Sequence, residues 1–275
     1  MQDKYKVEDL LHLMAQLRNP DGGCPWDLKQ TFASIVPSTV EEAYEVAEAI
    51  EIEDYEHLHE ELGDLLFQVI FYSQLGCEQG YFDFSRIVDT LVRKLVRRHP
   101  HVFPSGELYG DNDSGSVDEA QVKQNWEAIK TEERNAKGES GVLAGVTVGL
   151  PALTRAAKLQ KRASQVGFDW PNISGVLDKI EEEVAELREA VETGDREHAR
   201  EELGDLLFSC VNAARHLKED PEASLRHCNR KFERRFGSVE AVLKAQGRRP
   251  ADANLEELDQ LWDRAKAGEK PGSAQ

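Results

Sequence analysis

Two groups of acidic residues in this chain have the types and the spacing that a metal site needs. In the first group, Glu41–Glu45 is followed by Glu60–Asp64; in the second, Glu182–Glu186 is followed by Glu201–Asp205. Both ends of the pattern are displaced by 141 residues (182 − 41 and 205 − 64), so the internal spacing is unchanged. A solvated acidic surface does not need such a register, whereas a metal ion fixes the geometry of its ligands. The spacing therefore favours a metal site.

Residues three apart on a helix lie on nearly the same face. The pattern places four carboxylate pairs in this way: Glu42 with Glu45, Glu61 with Asp64, Glu183 with Glu186, and Glu202 with Asp205. Two such helices packed antiparallel would bring four carboxylates together, and like charges in a partly dry site raise one another's pKa. Magnesium or manganese would resolve this conflict, because both are hard cations that prefer oxygen ligands.

Two alternatives to a metal site stay open at this point: a solvated acidic face, and a duplicated scaffold without function. Each copy ends in the sequence E-L-G-D-L-L-F, and we expect the Leu and Phe after each aspartate to face the core. Gly63 and Gly204 lie inside the predicted helices, where glycine costs about 1 kcal/mol relative to alanine. That cost suggests close approach of another helix or a ligand, or else it is simply tolerated.

Basic residues follow each acidic group in an otherwise acidic chain. Lys231 and Arg235 are four residues apart and share a helix face, which makes them a candidate phosphate clamp, although surface ion pairs explain them equally well. Lys179 precedes Glu183 by four residues and can either pair with it or reach a phosphate. Trp262 can stack on a nucleobase, but the default interpretation is an amphipathic tail helix packed on the core.

The apolar residues recur with a helical period through most of the chain. The helices predicted from this period and from capping residues cover Val7–Arg18, Pro37–Ile52, Asp54–Leu75, Phe84–Arg98, Val117–Arg134, Pro151–Val166, Ser174–Glu192, Arg196–Leu217 and Pro221–Phe236. No strand pattern competes with them, so we predict an all-α fold. The glycine-rich segment 137–150 is the predicted linker between an N-terminal domain, 1–136, and a C-terminal domain, 151–275.

Composition limits the partners. The formal net charge is −18 over 275 residues, which disfavours nucleic acids and anionic membranes and attracts divalent cations. The four cysteines form no C-x-x-C pair, so zinc spacing is absent. We find neither an apolar signal region nor an apolar run of membrane-spanning length. A cytoplasmic protein without a nucleic-acid or membrane partner is expected.

The duplicated acidic pattern resembles that of the MazG family of nucleoside triphosphate pyrophosphohydrolases. Four further segments look like the tandem-domain bacterial form of that family: Cys24–Asp27, Arg97–Phe103, Val166–Trp170 and Lys231–Phe236. The resemblance covers nearly the whole chain. It implies two tandem MazG-like helical domains of the all-alpha nucleoside triphosphate pyrophosphatase type, with bundles completed by dimerisation.

The same resemblance implies a set of site residues. Magnesium, with manganese as a substitute, would be held by Glu183, Glu186, Glu202 and Asp205. Glu182 joins these four as a catalytic candidate that orients water. The nucleotide contacts would come from Lys179, Glu182, Glu201, Lys231, Arg235 and Trp262. A matching second site would consist of Glu42, Glu45, Glu61 and Asp64, with most of the activity expected in the C-terminal copy.

The predicted reaction is the Mg²⁺-dependent hydrolysis of a nucleoside triphosphate to its monophosphate and pyrophosphate, in control of the nucleotide pool. One alternative keeps the fold and restricts the substrate to dUTP or phosphoribosyl-ATP. Another is not enzymatic: a metal-binding helical homodimer that acts as a regulatory interaction module. Identification of the products from a panel of nucleoside triphosphates separates these hypotheses.

Overall fold

The computed structural model describes residues 4–110, 118–136, 138 and 141–269. Within these ranges the regular structure is helical, with no strand, so the predicted all-α class is confirmed. The chain divides into two compact units, Met1–Glu132 and Glu133–Gln275. No helix among the described residues is long and apolar enough to cross a membrane.

Among its described residues the first unit contains four α-helices and most of a fifth, which crosses the boundary between the units. These are α1 (Val7–Leu17), α2 (Phe32–Glu51), α3 (Tyr55–Glu78), α4 (Phe84–Arg98) and α5 (Glu119–Ala136). The second unit contains α6 (Ala152–Ser164), α7 (Ile173–Thr193), α8 (Arg196–Leu217), α9 (Pro221–Ala245) and α10 (Leu255–Gly268). Val117, the expected start of the fifth helix, lies outside the described residues.

The core of the first unit forms around α3, which contacts α1, α2 and α4. Its buried apolar side chains are Met14, Ile35, Ile70, Phe71 and Leu75. At about 25 cal/mol for each Å² of apolar surface removed from water, this cluster supplies the main driving force for packing these helices together. The most extensive contact is between α2 and α3, the two helices that carry the first acidic group.

The second unit repeats this plan with α7 and α8, which form its most extensive helix–helix contact. Helix α6 packs on α8 and α9, and α10 packs on α9. The buried cluster between α9 and α10 consists of Val239, Leu243 and Leu261, with Trp262 packed against it. The amphipathic tail helix that the sequence suggests around Trp262 is therefore present.

Each acidic helix pair is closed by the same short turn. Gly194, with φ of 76°, ends α7 in the left-handed region, and Asp195 then caps α8 by accepting hydrogen bonds from two backbone N–H groups. In the first unit the left-handed position is Glu53, with φ of 58°, and Asp54 caps α3. The two turns occupy equivalent positions, so they set both pairs of helices in the same register.

Two expectations about where helices begin and end are wrong. Helix α2 begins at Phe32 rather than at Pro37, because Thr31 and Ser34 form a capping box that starts the helix earlier and leaves Pro37 inside it. Helix α9 continues past Phe236 to Ala245.

Of the readings offered for the two helical glycines, close approach of another helix is absent among the described residues. A Cβ atom built at Gly63 or Gly204 meets no described atom within 4 Å. The expectation that the residues after each aspartate face the core holds for Phe67, which packs on the first core. It fails for Leu66, Leu207 and Phe208, which are exposed.

Candidate metal centre

Three carboxylates of the second unit converge between α7 and α8. Glu183 and Glu186 lie one turn apart on α7, and Glu202 lies on the facing side of α8. One oxygen of each lies within 4.8 Å of the others, which is close enough for a single cation to bind all three. The antiparallel packing expected from the spacing therefore does bring acidic side chains from both helices together.

Glu183 is the buried member of this group. The residue is only 3% exposed, and its Oε1 accepts a salt bridge of 2.6 Å from Lys179. Its Oε2 is buried and has no hydrogen-bond partner among the described residues. A buried carboxylate oxygen without a partner is costly, so this atom indicates a position for a cation. Oxygen-only donors suit a hard divalent ion such as Mg²⁺.

Glu202 completes the group from α8. Burial raises its pKa, and the neighbouring charges of Glu186 and Glu183 raise it further. His198 opposes this rise, since its Nε2 lies 3.0 Å from Glu202 Oε1. His198 is not among the predicted site residues, although its position four residues before Glu202 is the spacing of neighbours on a helix.

The first unit contains the equivalent group of Glu42, Glu45 and Glu61, whose oxygens also lie within 4.8 Å of one another. The pKa of Glu42 is raised by burial first and then by the charges of Asp64 and the two other glutamates. One difference separates the copies. Position 38, which corresponds to Lys179, is a serine, so the first group lacks the ammonium that the second possesses.

The two aspartates are not members of these three-residue groups. Asp64 acts on Glu42 electrostatically, while Asp205 is exposed on α8. The structure thus brings together three of the four carboxylates predicted at each site. The aspartates lie one turn further along their helices, at the edge of each group.

The residues predicted beside the second group differ in their contacts. Lys179 bridges Glu182 at 2.8 Å and Glu183 at 2.6 Å, and both contacts raise its pKa. Of the two interpretations of Lys179, the structure contains the ion pair. Glu201 is exposed on α8, away from these contacts.

The predicted clamp residues lie where α9 meets α10. The guanidinium of Arg235 is 5.7 Å from the centre of the Trp262 ring and forms a 2.6 Å salt bridge with Glu269. The same carboxylate pairs with Arg234 at 2.7 Å. The two arginines lower the pKa of Glu269 to about 2. Lys231 is half-buried on the preceding turn of α9. The role of Glu269 has no local sequence signal, because this residue is 34 positions away from Arg235.

The sequence model of the MazG nucleotide pyrophosphohydrolase domain matches residues 30–103 and 173–239. A nucleoside triphosphate pyrophosphohydrolase of Escherichia coli strain K12 is 46% identical over 268 residues, covering 96% of this chain and 98% of that protein. The chain belongs to the MazG family. A nucleoside triphosphate pyrophosphohydrolase/pyrophosphatase MazG of Thermotoga maritima is 43% identical over 96% of each chain. An uncharacterized protein, YabN, of Bacillus subtilis is 44% identical over 94% of this chain and 51% of its own length.

The two MazG-family matches correspond to the two acidic groups. The first includes α2–α4 with Glu42, Glu45 and Glu61, and the second includes α7 and α8 with the second group. The second match also reaches Lys231 and Arg235, but Trp262 and Glu269 lie beyond it. The resemblance drawn from the sequence motifs, including its tandem form, is confirmed.

Proposed function

We propose that this MazG-family protein hydrolyses nucleoside triphosphates to nucleoside monophosphates and pyrophosphate with the help of Mg²⁺. The observation that carries the proposal is the buried Oε2 of Glu183, which has no hydrogen-bond partner among the described residues, in a side chain that brings one oxygen within 4.8 Å of an oxygen of Glu186 and of Glu202. The names of the relatives from Escherichia coli and Thermotoga maritima support the same reaction.

The residues proposed to hold the metal are Glu183, Glu186 and Glu202, with Asp205 approaching from the next turn of α8. Bound magnesium would supply charge neutralisation and Lewis-acid polarisation of the triphosphate, and Mn²⁺ would substitute because it prefers the same ligands. The role of the protein is to fix the three carboxylates on two packed helices. Preorganised ligands avoid the cost of gathering like charges during the reaction.

The remaining predicted residues would act on water and on the leaving group. Glu182 is proposed to orient the water that attacks the α phosphorus, because it is a partly exposed carboxylate beside the metal group. Lys231 and Arg235 would stabilise the charge that develops on pyrophosphate. For Arg235 this requires a phosphate to replace the carboxylate of Glu269, which now occupies its guanidinium.

We assign the main activity to the second unit. Its acidic group includes the counter-charge of Lys179, whereas the first has Ser38 at the equivalent position. An ammonium beside a buried carboxylate offsets part of the cost of burying that charge. The first unit retains the three glutamates and is proposed as a weaker site.

We also propose that the protein forms a homodimer. Equivalent leucines are exposed in the two units: Leu62 and Leu66 on α3, and Leu203 and Leu207 on α8. Paired apolar side chains on the outer face of both helix pairs suit burial against a second copy. Sedimentation equilibrium would measure the mass, and replacing both Leu203 and Leu207 by glutamate should shift the protein towards the monomer.

The proposed reaction is tested by identifying its products. The protein is incubated with Mg²⁺ and a panel of nucleoside triphosphates, and the products are separated chromatographically. Monophosphate with pyrophosphate is expected. Diphosphate with phosphate would contradict the position of attack, and no turnover with any nucleotide would favour a binding module.

The assignment to the second unit is tested by two matched variants. Glu202→Gln and Glu61→Gln remove one carboxylate from equivalent positions in the two groups. We expect Glu202→Gln to lower kcat by roughly 100-fold or more, as for loss of a metal ligand, and Glu61→Gln to change it by less than about threefold. Equal losses from both variants would overturn the assignment.

A further inference from the structure

Two neighbouring arginines of α9 hold a single carboxylate from the end of α10. Glu269, the C-cap of α10, accepts at Oε1 from Nε and Nη2 of Arg234, over 3.0 and 2.7 Å. Its Oε2 accepts from Nε and Nη2 of Arg235, over 3.0 and 2.6 Å. Four charge-assisted hydrogen bonds thus converge on one anionic group, and guanidinium groups bind phosphate oxygens with the same geometry. The two arginines therefore form an anion site that a carboxylate of the protein fills.

The two guanidinium groups of this site differ in their surroundings. Arg235 lies 5.7 Å from the centre of the Trp262 ring, and its side chain is only 17% exposed. The Trp262 ring in turn packs 5.1 Å from the ring of Phe232, so Arg235 is held against a fixed aromatic surface. Arg234 is open, with 57% of its side chain exposed. A ligand can therefore approach the site from solvent on the side of Arg234.

The end of α10 makes few other contacts with α9. Of the side chains in the buried cluster between the two helices, Trp262 lies farthest along α10. Residues 263–268 follow it, and all of them except Ala265 are exposed. A Cβ atom built at Gly268 meets no described atom within 4 Å. Movement of this segment away from α9 would expose little apolar surface, so its position depends mainly on the ion pairs of Glu269.

We propose that residues 263–269 form a latch, which pyrophosphate opens by displacing the carboxylate of Glu269 from Arg234 and Arg235. The inference rests on the proposed function, in which pyrophosphate is the leaving group. Pyrophosphate carries more negative charge than one carboxylate and has oxygens on two phosphorus atoms, so it can occupy both guanidinium groups at once. The latch is closed in the free protein and open while pyrophosphate, or the triphosphate that contains it, is bound.

A closed latch weakens the binding of pyrophosphate. The apparent affinity of a ligand falls with the fraction of protein molecules in the state that can bind it. After hydrolysis, Glu269 competes with the product for the same donors, so closure of the latch favours release of pyrophosphate. Release of product limits the turnover of many enzymes, and a carboxylate that replaces the product is a direct way to promote it.

The first test measures the binding of inorganic pyrophosphate without turnover. Titration calorimetry in excess Mg²⁺ compares the wild-type protein with Glu269→Gln. The variant should bind pyrophosphate about two- to tenfold more tightly, because its neutral amide no longer competes for the arginines. Equal affinities would overturn the proposal, and so would the absence of pyrophosphate binding to either protein.

The matched control is Glu257→Gln, at the other end of α10. Glu257 forms hydrogen bonds of 2.6 and 2.7 Å with Arg248, so this variant also removes one paired carboxylate from the helix. The two positions are about 18 Å apart along the helix axis, at about 1.5 Å per residue. Glu257→Gln should bind pyrophosphate like the wild type. A gain in affinity equal to that of Glu269→Gln would show that general loosening of α10 is the cause, which would contradict the latch.

Hydrogen exchange followed by mass spectrometry observes the latch itself. In the wild type, inorganic pyrophosphate should speed exchange at the backbone amides of residues 263–269. In Glu269→Gln these amides should exchange quickly from the start and respond little to pyrophosphate. If Glu269 only stabilises the end of α10, the variant exchanges faster but the wild type ignores pyrophosphate, and that result refutes the proposal.

Both measurements use inorganic pyrophosphate and require no catalysis. Failure of the protein to hydrolyse any nucleoside triphosphate would contradict the proposed function and leave these results to decide the latch. Tighter binding by Glu269→Gln together with pyrophosphate-dependent exchange in the wild type supports the proposal.

Discussion

Replacing Glu183 by glutamine should abolish most of the stabilisation that Mg²⁺ gives to the protein. The substitution keeps the size of the side chain and removes a buried charge whose Oε2 has no hydrogen-bond partner among the described residues. Two unit charges 4.8 Å apart, the limit for Glu183 and Glu186, repel by about 0.9 kcal/mol in water and by about 3.5 kcal/mol at an effective dielectric constant of 20. We use the lower figure because Glu186 is partly exposed.

The metal-free variant should therefore be nearly as stable as the wild type. Relief of about 1 kcal/mol of repulsion is offset by loss of the salt bridge from Lys179, and such pairs contribute about 0–1 kcal/mol when partly exposed. Lys179 keeps its second carboxylate partner, Glu182, at 2.8 Å. We expect the free energy of unfolding without metal to change by less than about 1 kcal/mol.

The response to metal should differ much more. A ligand present at 100 times its Kd stabilises the folded state by about 2.7 kcal/mol, which raises Tm by roughly 5 to 10 °C for a chain of this size. Differential scanning calorimetry across a series of Mg²⁺ concentrations measures this shift. Glu183→Gln should retain less than about a quarter of it, since the metal loses an anionic ligand.

The control is Glu181→Gln, which makes the same change of charge at an exposed position of α7. Its Tm should rise with Mg²⁺ as in the wild type. The reasoning is refuted if Glu183→Gln responds to Mg²⁺ as strongly as Glu181→Gln, or if neither Mg²⁺ nor Mn²⁺ stabilises the wild type.

Three further outcomes follow from contacts in the structure. Glu269→Gln should lower KM for nucleoside triphosphates by about two- to tenfold, because the carboxylate of Glu269 no longer competes with phosphate for Arg235. Steady-state kinetics measures this effect, and an unchanged or higher KM would contradict it. Since the pKa of Glu269 is lowered to about 2, its ion pairs persist above the ordinary glutamate pKa of about 4.3 and are lost as the pH falls towards 2. Fluorescence of Trp262 should change over that interval in the wild type and much less in Glu269→Gln. Both Glu53 and Gly194 have positive φ, which glycine adopts more easily than other residues. Glu53→Gly should therefore raise the free energy of unfolding by up to about 1 kcal/mol, and Gly194→Ala should lower it by about 1 kcal/mol. Denaturant unfolding measures both changes, and opposite signs would refute the reasoning.

Local patterns in the sequence were sufficient to predict the helical class, the duplicated acidic pairs and the family. Residues three apart, such as Glu183 and Glu186, share a helix face whatever the surrounding fold, so their convergence could be expected. The pairing of Arg235 with Glu269 could not, since it joins distant positions through the packing of α10 on α9. The hydrogen bond that Gln160 on α6 donates to the backbone carbonyl of Phe208 on α8 joins residues 48 positions apart, so it could not be predicted either.

Two of the wrong expectations have different physical reasons. The sequence predicts a helix start at Pro37, but the Thr31 and Ser34 side chains accept hydrogen bonds from each other's backbone N–H groups and start the helix earlier. Leu207 and Phe208 follow an apolar pattern that looks the same whether the covering surface lies within the chain or outside it. Periodicity identifies the apolar face of a helix and leaves its partner unspecified.

The serine at position 38 has a consequence for how the duplicated halves handle ions. With every member ionised, the three glutamates near α8 and the single ammonium beside them sum to −2, which one divalent ion balances. The trio between α2 and α3 sums to −3 and has no such lysine. One divalent ion would leave this group of the first unit with a net charge of −1, so electroneutrality there requires a proton, a second cation or a trivalent cation. Lanthanide ions should accordingly distinguish the halves, with a relative preference for the N-terminal one.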